Sequence, residues 1–170
     1  KYPSNAELQQ AINEKQKAQR EDLIKQIQKY DPSYDGSNKT LEQLVADLKA
    51  KQEAEQQKQN LINDIKALAA ELGESVDENA LKGMTYDQLV AKNQELQQKK
   101  AESQRQANLA AIAKLDPDAA AALKDADANA VSAKLNEVNN TRASLESTAS
   151  GLGIDSSKSV SYTHLRAHET

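Results

Sequence analysis

Apolar positions along this chain fall into short helical stripes, and polar stretches separate them. Leu23, Ile24 and Ile27, then Leu61, Ile62, Ile65 and Leu68, then Leu109, Ile112 and Leu115 keep i, i+3, i+4 spacing. Each stripe meets a break rich in Pro, Gly, Asp or Ser: residues 30–37, residues 73–83, and Asp116 with Pro117. A second kind of stripe starts behind a helix-capping residue and occurs four times, at Ser4, Thr40, Thr85 and Asp127, with steps of 36, 45 and 42 residues. Three of these starts set Glu7, Gln43 or Gln88 three residues after the hydroxyl. That spacing predicts a capping box, in which the hydroxyl accepts from the third helical N–H and the Glu or Gln side chain accepts from the cap N–H. The fourth start is degenerate: Val131 and Leu135 stand in the places of Leu44 and Leu48, but Ala130 replaces the Gln.

No breaker separates one unit from the next, only polar sequence such as residues 51–59 and 97–106, so helix is expected to run through. The predicted spans are residues 4–29, 40–72, 85–115, 118–125 and 128–149. The expected fold is all-α, an extended array of small helix-loop-helix repeats of two or three helices that share long connecting helices. Residues 1–19 read as the second helix of a truncated repeat plus connector, 20–50 as a first unit and 51–59 as a connector. A second unit follows at 60–96, a connector at 97–106, a degenerate unit at 107–140 and a truncated one at 141–157. In the first unit the expected core is Leu23, Ile24, Ile27, Tyr30, Tyr34, Leu41, Leu44, Val45 and Leu48. Residues 150–155 parallel residues 70–75, with Leu152 and Gly153 in the places of Leu72 and Gly73.

Composition narrows the function classes. The 170 residues include no Phe, Trp or Cys and only five Tyr, so there is little bulky material for one large core and no thiolate chemistry. Net charge is −4 with both signs interspersed. Residues 20–50 carry five basic and six acidic side chains, and residues 60–95 three and seven, so these segments repel a phosphate backbone. Lys99, Lys100 and Arg105 form a modest basic patch, read as connector surface. No apolar run reaches membrane-spanning length. Seventeen Gln favour soluble helix over a β-prone tract, because Lys and Glu are interspersed among them.

Pro32, Ser33, Tyr34, Asp35, Gly36 and Ser37, followed by Lys39, Thr40, Leu44, Val45 and Leu48, resemble the helix, extended loop, helix (HeH) motif, a relative of the SAP and LEM domains. The second unit keeps Thr85, Tyr86, Leu89 and Val90 of that pattern. Such motifs occur in phage and prophage structural proteins such as head-fibre proteins, and SAP relatives bind DNA. The resemblance implies a structural or adhesive part of a virion, with a nucleic-acid-binding HeH/SAP-like protein as the alternative. It draws attention to Tyr34, Asp35, Gly36, Lys39 and Tyr86 as loop and interaction residues. Residues 61–96 are also similar to a three-helix albumin-binding surface module, with residues 61–72, 77–82 and 85–96 as its helices and without the aromatic-rich middle helix of such modules, which leaves a bacterial surface repeat binding a host protein as a third reading. The expected partner is protein, through self-association or a virion or host protein. Nucleic acid is the lesser candidate, and neither a membrane nor a small-molecule substrate is expected.

Catalytic chemistry finds little support. His164 and His168 stand at i and i+4 beside Glu169, but a third zinc ligand is missing. Residues 161–170 break the pattern and resemble a translated sequencing adapter, so residues 158–170 read as a non-native tail and the adapter-like stretch is set aside from fold reasoning. The neighbouring acids Glu21 and Asp22, and Asp77 and Glu78, read as solvated surface, and without Cys or a dependable His no serine has an evident base. Asp31, Asp35 and Ser37 lack the closing Glu of a calcium loop and read as turn formers. No enzyme, cofactor or metal site is expected.

Overall fold

The computed structural model describes residues 2–158, and among these six helices and no strand occur. They are α1 (Asn5–Gln28), α2 (Leu41–Glu71), α3 (Glu78–Lys82), α4 (Tyr86–Leu115), α5 (Pro117–Ala122) and α6 (Ala128–Gly151). The protein is all-α. His164, His168 and Glu169 lie outside the described residues.

Local chemistry sets the helix starts. Ser4 Oγ accepts from Glu7 N–H at 3.2 Å while Glu7 Oε2 accepts from Ser4 N–H at 3.3 Å. The Thr40–Gln43 and Thr85–Gln88 boxes each close at 3.2 and 2.9 Å. Asp127 caps α6 alone, accepting from Ala130 N–H at 2.8 Å, as expected where an Ala cannot return the bond. Gly73 and Gly153 take φ of +69° and +74° behind α2 and α6. In both, the residue after the glycine donates to the carbonyl five before it, Glu74 to Ala69 and Ile154 to Ala149, each at 2.8 Å. These are matching Schellman ends, in which a left-handed residue lets the chain satisfy the last helical carbonyls.

One span differs from the sequence reading. α5 stops at Ala122 rather than 125, because Arg105 draws the carbonyls of Lys124 and Ala126 to its guanidinium at 3.0 and 3.2 Å, and the chain turns there. The break at residues 73–83 contains a short helix of its own, α3, with the Asp77 side chain accepting from Asn79 N–H at 2.9 Å.

The long helices bury residues where stripes from two helices meet. In the first hairpin, Ile27 of α1 and Leu44 of α2 are fully buried. Tyr30 and Val45, expected in that core, are exposed on the outside of the hairpin. The second hairpin unites Ile62, Ile65 and Ala69 of α2 with Leu81 of α3 and Leu89 and Leu96 of α4 in one core. In the third, Ile112 of α4 meets Val131 and Val138 of α6, with Ala119, Ala120 and Leu123 packed against them. The described residues divide into two compact parts between Leu96 and Gln97, the first two hairpins in one and the third in the other. In the connectors, residues 52–57 and 97–104 are exposed. Side-chain bonds at i, i+4 brace the polar helix: Gln9 to Asn13, Gln56 to Asn60, Gln59 to Asn63 and Gln104 to Asn108, at 2.9–3.2 Å.

Candidate functional site

The loop between α1 and α2 concentrates the candidate residues, and most of them face inward. Asp31 accepts from the N–H and hydroxyl of Ser33 at 3.2 and 2.7 Å, and Asp35 from Ser37 N–H at 3.0 Å, so both acids build turns. Gly36 is buried between the hairpin's helices. A Cβ placed there would lie 2.7 Å from Ile24 Cγ1 and 2.9 Å from Leu44 Cδ2. Glycine is required at this point for closeness of approach; no positive φ is involved. Tyr34 is half-buried and its hydroxyl donates to Asp47 of α2, which also pairs with Lys39 at 3.3 Å. Lys51 of α2 reaches back to Asp31 at 3.1 Å. Of the five loop and interaction candidates, Asp35 and Tyr86 stay exposed, while Tyr34, Gly36 and Lys39 hold the loop to its own helices.

The electrostatics follow from these contacts. The Tyr34 hydroxyl holds the Asp47 carboxyl below its ordinary range, with Lys39 adding to the effect. Partial burial, together with the Asp47 charge, pushes the Tyr34 phenol up to about 12. Ser33 and then Lys51 hold Asp31 low, and the Ser37 N–H does the same for Asp35.

A second feature links the hairpins. A basic side chain on each first helix donates to a carbonyl three residues before the next cap: Arg20 to Ser37 O at 3.0 Å, Lys58 to Lys82 O at 2.8 Å, and Arg105 to Lys124 O at 3.0 Å. Each of these bases stands seven residues before the buried Ile27, Ile65 or Ile112. Arg142 repeats the bond with Ser156 O at 3.2 Å. Arg105 therefore belongs to the packing of the third hairpin, not to a basic surface patch. Its side chain is 16% exposed and also pairs with Glu102 at 2.9 Å. Glu102 in turn is held down to about 2 by Arg105 and then Gln106.

A pair of exposed tyrosines lies between the first two hairpins. Tyr30 and Tyr86, each nearly half exposed, line a shallow groove of about 270 Å³ together with Lys51, Ala54, Gln57 and Lys58 of α2. Aromatic side chains flanking a polar helix face are the chemistry of a protein contact, because each ring offers a large rigid area for little conformational entropy.

No family model, curated protein or solved structure matches this chain. What the surface can do follows from its own chemistry. Many of its cations already have partners: Lys66 and Lys82 share Glu78, Lys134 pairs with Glu137 and Arg142 with Glu146. Among the described residues no three His, Asp or Glu side chains gather where they could hold a metal ion. No helix among them is long and apolar enough to cross a membrane.

Proposed function

We propose that this chain is a non-enzymatic structural and protein-binding segment, part of a phage or prophage virion protein such as a head or tail fibre. One observation carries the reading. The loop of the HeH-like stretch is built as a closed structural joint, with Gly36 wedged between Ile24 and Leu44 and Tyr34 and Lys39 tied to Asp47. Residues used in this way position two helices and leave no reactive group over. The exposed Tyr30 and Tyr86 groove supplies the contact face for another protein. Nucleic-acid binding is the weaker reading, because acids outnumber bases in both hairpins of the first part and Lys39 and Lys51 are already paired to acids.

A second reading is favoured by the second hairpin, where α2, α3 and α4 share one core in the manner of a three-helix module that binds a host protein at a bacterial surface. One experiment separates the two. Particles induced from a strain carrying the parent gene are purified on a density gradient, and their proteins are identified by mass spectrometry. Peptides of this chain should band with the capsid proteins. Recovery in the cell-wall fraction, with none in the particles, would overturn the virion reading in favour of the surface module.

A further inference from the structure

The groove between Tyr30 and Tyr86 runs along one face of α2, inside the first compact part of the chain. Lys51, Ala54, Glu55 and Lys58 stand at i, i+3, i+4 and i+7, so they line it as a single stripe. Lys51 Nζ is held by Asp31 at 3.1 Å, and Lys58 Nζ makes the latch bond to the Lys82 carbonyl at 2.8 Å. Both lysines thus commit their ammonium groups to their own hairpins and offer the groove their aliphatic stems. With the Ala54 methyl and two half-exposed rings, the stems form an apolar trough about 10 Å long, two turns of helix.

The polar groups left over in the trough are mostly donors. Among the described residues the Tyr30 and Tyr86 hydroxyls and the Gln57 amide have no hydrogen-bond partner, and Glu55 has neither a hydrogen bond nor an ion pair. The three neutral groups can all donate, so a ligand that suits them brings carbonyl oxygens and few N–H groups of its own. A proline-rich chain in the polyproline II form meets both conditions. Proline has no N–H, the helix makes no internal hydrogen bonds, and three residues rise about 9 Å, so one turn fills the trough. Such a chain is also ordered before it binds, which suits a groove of about 270 Å³ with little contact area to offset lost entropy.

Charge sets the rest of the ligand. Residues 1–96 carry thirteen basic and seventeen acidic side chains and residues 97–170 nine of each, so the whole net charge of −4 lies in the part that holds the groove. With Glu55 unpaired in the lining, an acidic partner is repelled and a basic residue beside the prolines is favoured. We infer that the groove binds a proline-rich segment of another protein, its prolines against the Tyr30 and Tyr86 rings and an adjacent arginine paired to Glu55. This names the partner of the protein-contact face proposed above and rests on that reading.

Titration of the full chain with an acetylated, amidated Arg-Pro-Pro-Ala-Pro-Pro peptide tests it, read from the NMR shifts of the tyrosine rings and the α2 amides. The dissociation constant should be on the order of 0.1–1 mM. A peptide with glycine at the four proline positions should shift nothing at the same concentrations. Tyr30→Ala and Tyr86→Ala change exposed side chains, so each should keep wild-type helical dichroism while weakening binding by about fivefold or more. Glu55→Lys should weaken it by about twofold to fivefold, and a peptide with Glu in place of its Arg should restore the loss. Equal binding of the glycine peptide, or shifts that survive in both tyrosine variants, would overturn the inference. A chain that bands with virion particles yet shows no shift with the proline peptide at millimolar concentration would overturn it too, and would leave the virion reading standing.

Discussion

At the scale of single residues, two positions depart from what their neighbours in the hairpin pattern do, and each makes a measurable claim. Gly36 sits where a methyl group would meet Ile24 and Leu44 at under 3 Å. Those are side-chain ends within a packed joint, so they yield only by leaving their rotamers. Gly36→Ala should therefore destabilise the chain by about 1–3 kcal/mol, read from urea denaturation. An unchanged midpoint would show that the joint is looser than the geometry implies. Asn93 is the opposite case. It stands eight residues past Thr85, where the other hairpins carry Leu48 and Leu135, and its side-chain oxygen is buried with no hydrogen-bond partner. Removing an unpaired polar atom and restoring the apolar stripe should make Asn93→Leu more stable by about 1 kcal/mol. A loss of stability would mean that the Asn93 oxygen has a partner, such as an ordered water, in solution.

At the scale of elements, the caps could be read from the chain because they depend on residues three apart, and Ser4, Thr40 and Thr85 with Glu7, Gln43 and Gln88 carry the whole interaction in sequence. The stripes around Ile27, Ile65 and Ile112 were legible for the same reason: helical period is a local property. The latch was not. Arg20, Lys58 and Arg105 each sit at the edge of a polar stretch, where a base reads as solvated surface, and their partners are backbone carbonyls with no side-chain signature. Only the constant seven-residue step to the buried Ile could have exposed it. Gly36 was legible as a turn residue, but its need for space arises from two helices meeting across the loop. α3 gave no periodic signal, because a single turn between two glycines has too few residues to show one, and only the three-helix likeness put a helix at residues 77–82. The latch makes its own prediction. Arg105→Met keeps the aliphatic stem but strands the Lys124 and Ala126 carbonyls, so it should cost about 1–2 kcal/mol. Arg20→Met removes one bond at a more exposed site and should cost less than half of that. Equal losses in the two variants, measured by the same denaturation, would show that the latch contributes nothing beyond surface packing.

At the scale of the whole molecule, stability rests on many small joints, and carboxylates close a large share of them. Asp31, Asp35, Asp47 and Glu78 in the first part, and Glu102 and Asp155 in the second, are all held below their ordinary range by hydrogen bonds or neighbouring cations. The unfolded chain binds protons at these groups before the folded one does. Their contribution is thus fully present above about pH 5 and drains away as pH falls towards each folded value, which at Glu102 is about 2. Tyr34 acts in the opposite sense. Its pKa rises from 10 to about 12 on folding, so its contribution holds below pH 10 and is lost as pH climbs through 12. Melting temperature should therefore be flat from about pH 6 to 9, fall steeply between about pH 5 and 2, and fall again above pH 10. Tyr34→Phe separates the causes. It removes the largest effect lowering Asp47, so the acid limb should become shallower, because the folded and unfolded carboxyl then differ less, while the alkaline limb should flatten because no phenol remains to ionise in the joint. An acid limb as steep as the wild type's in this variant would show that Lys39, rather than the Tyr34 hydroxyl, sets the Asp47 carboxylate, and that the loop is held by charge alone.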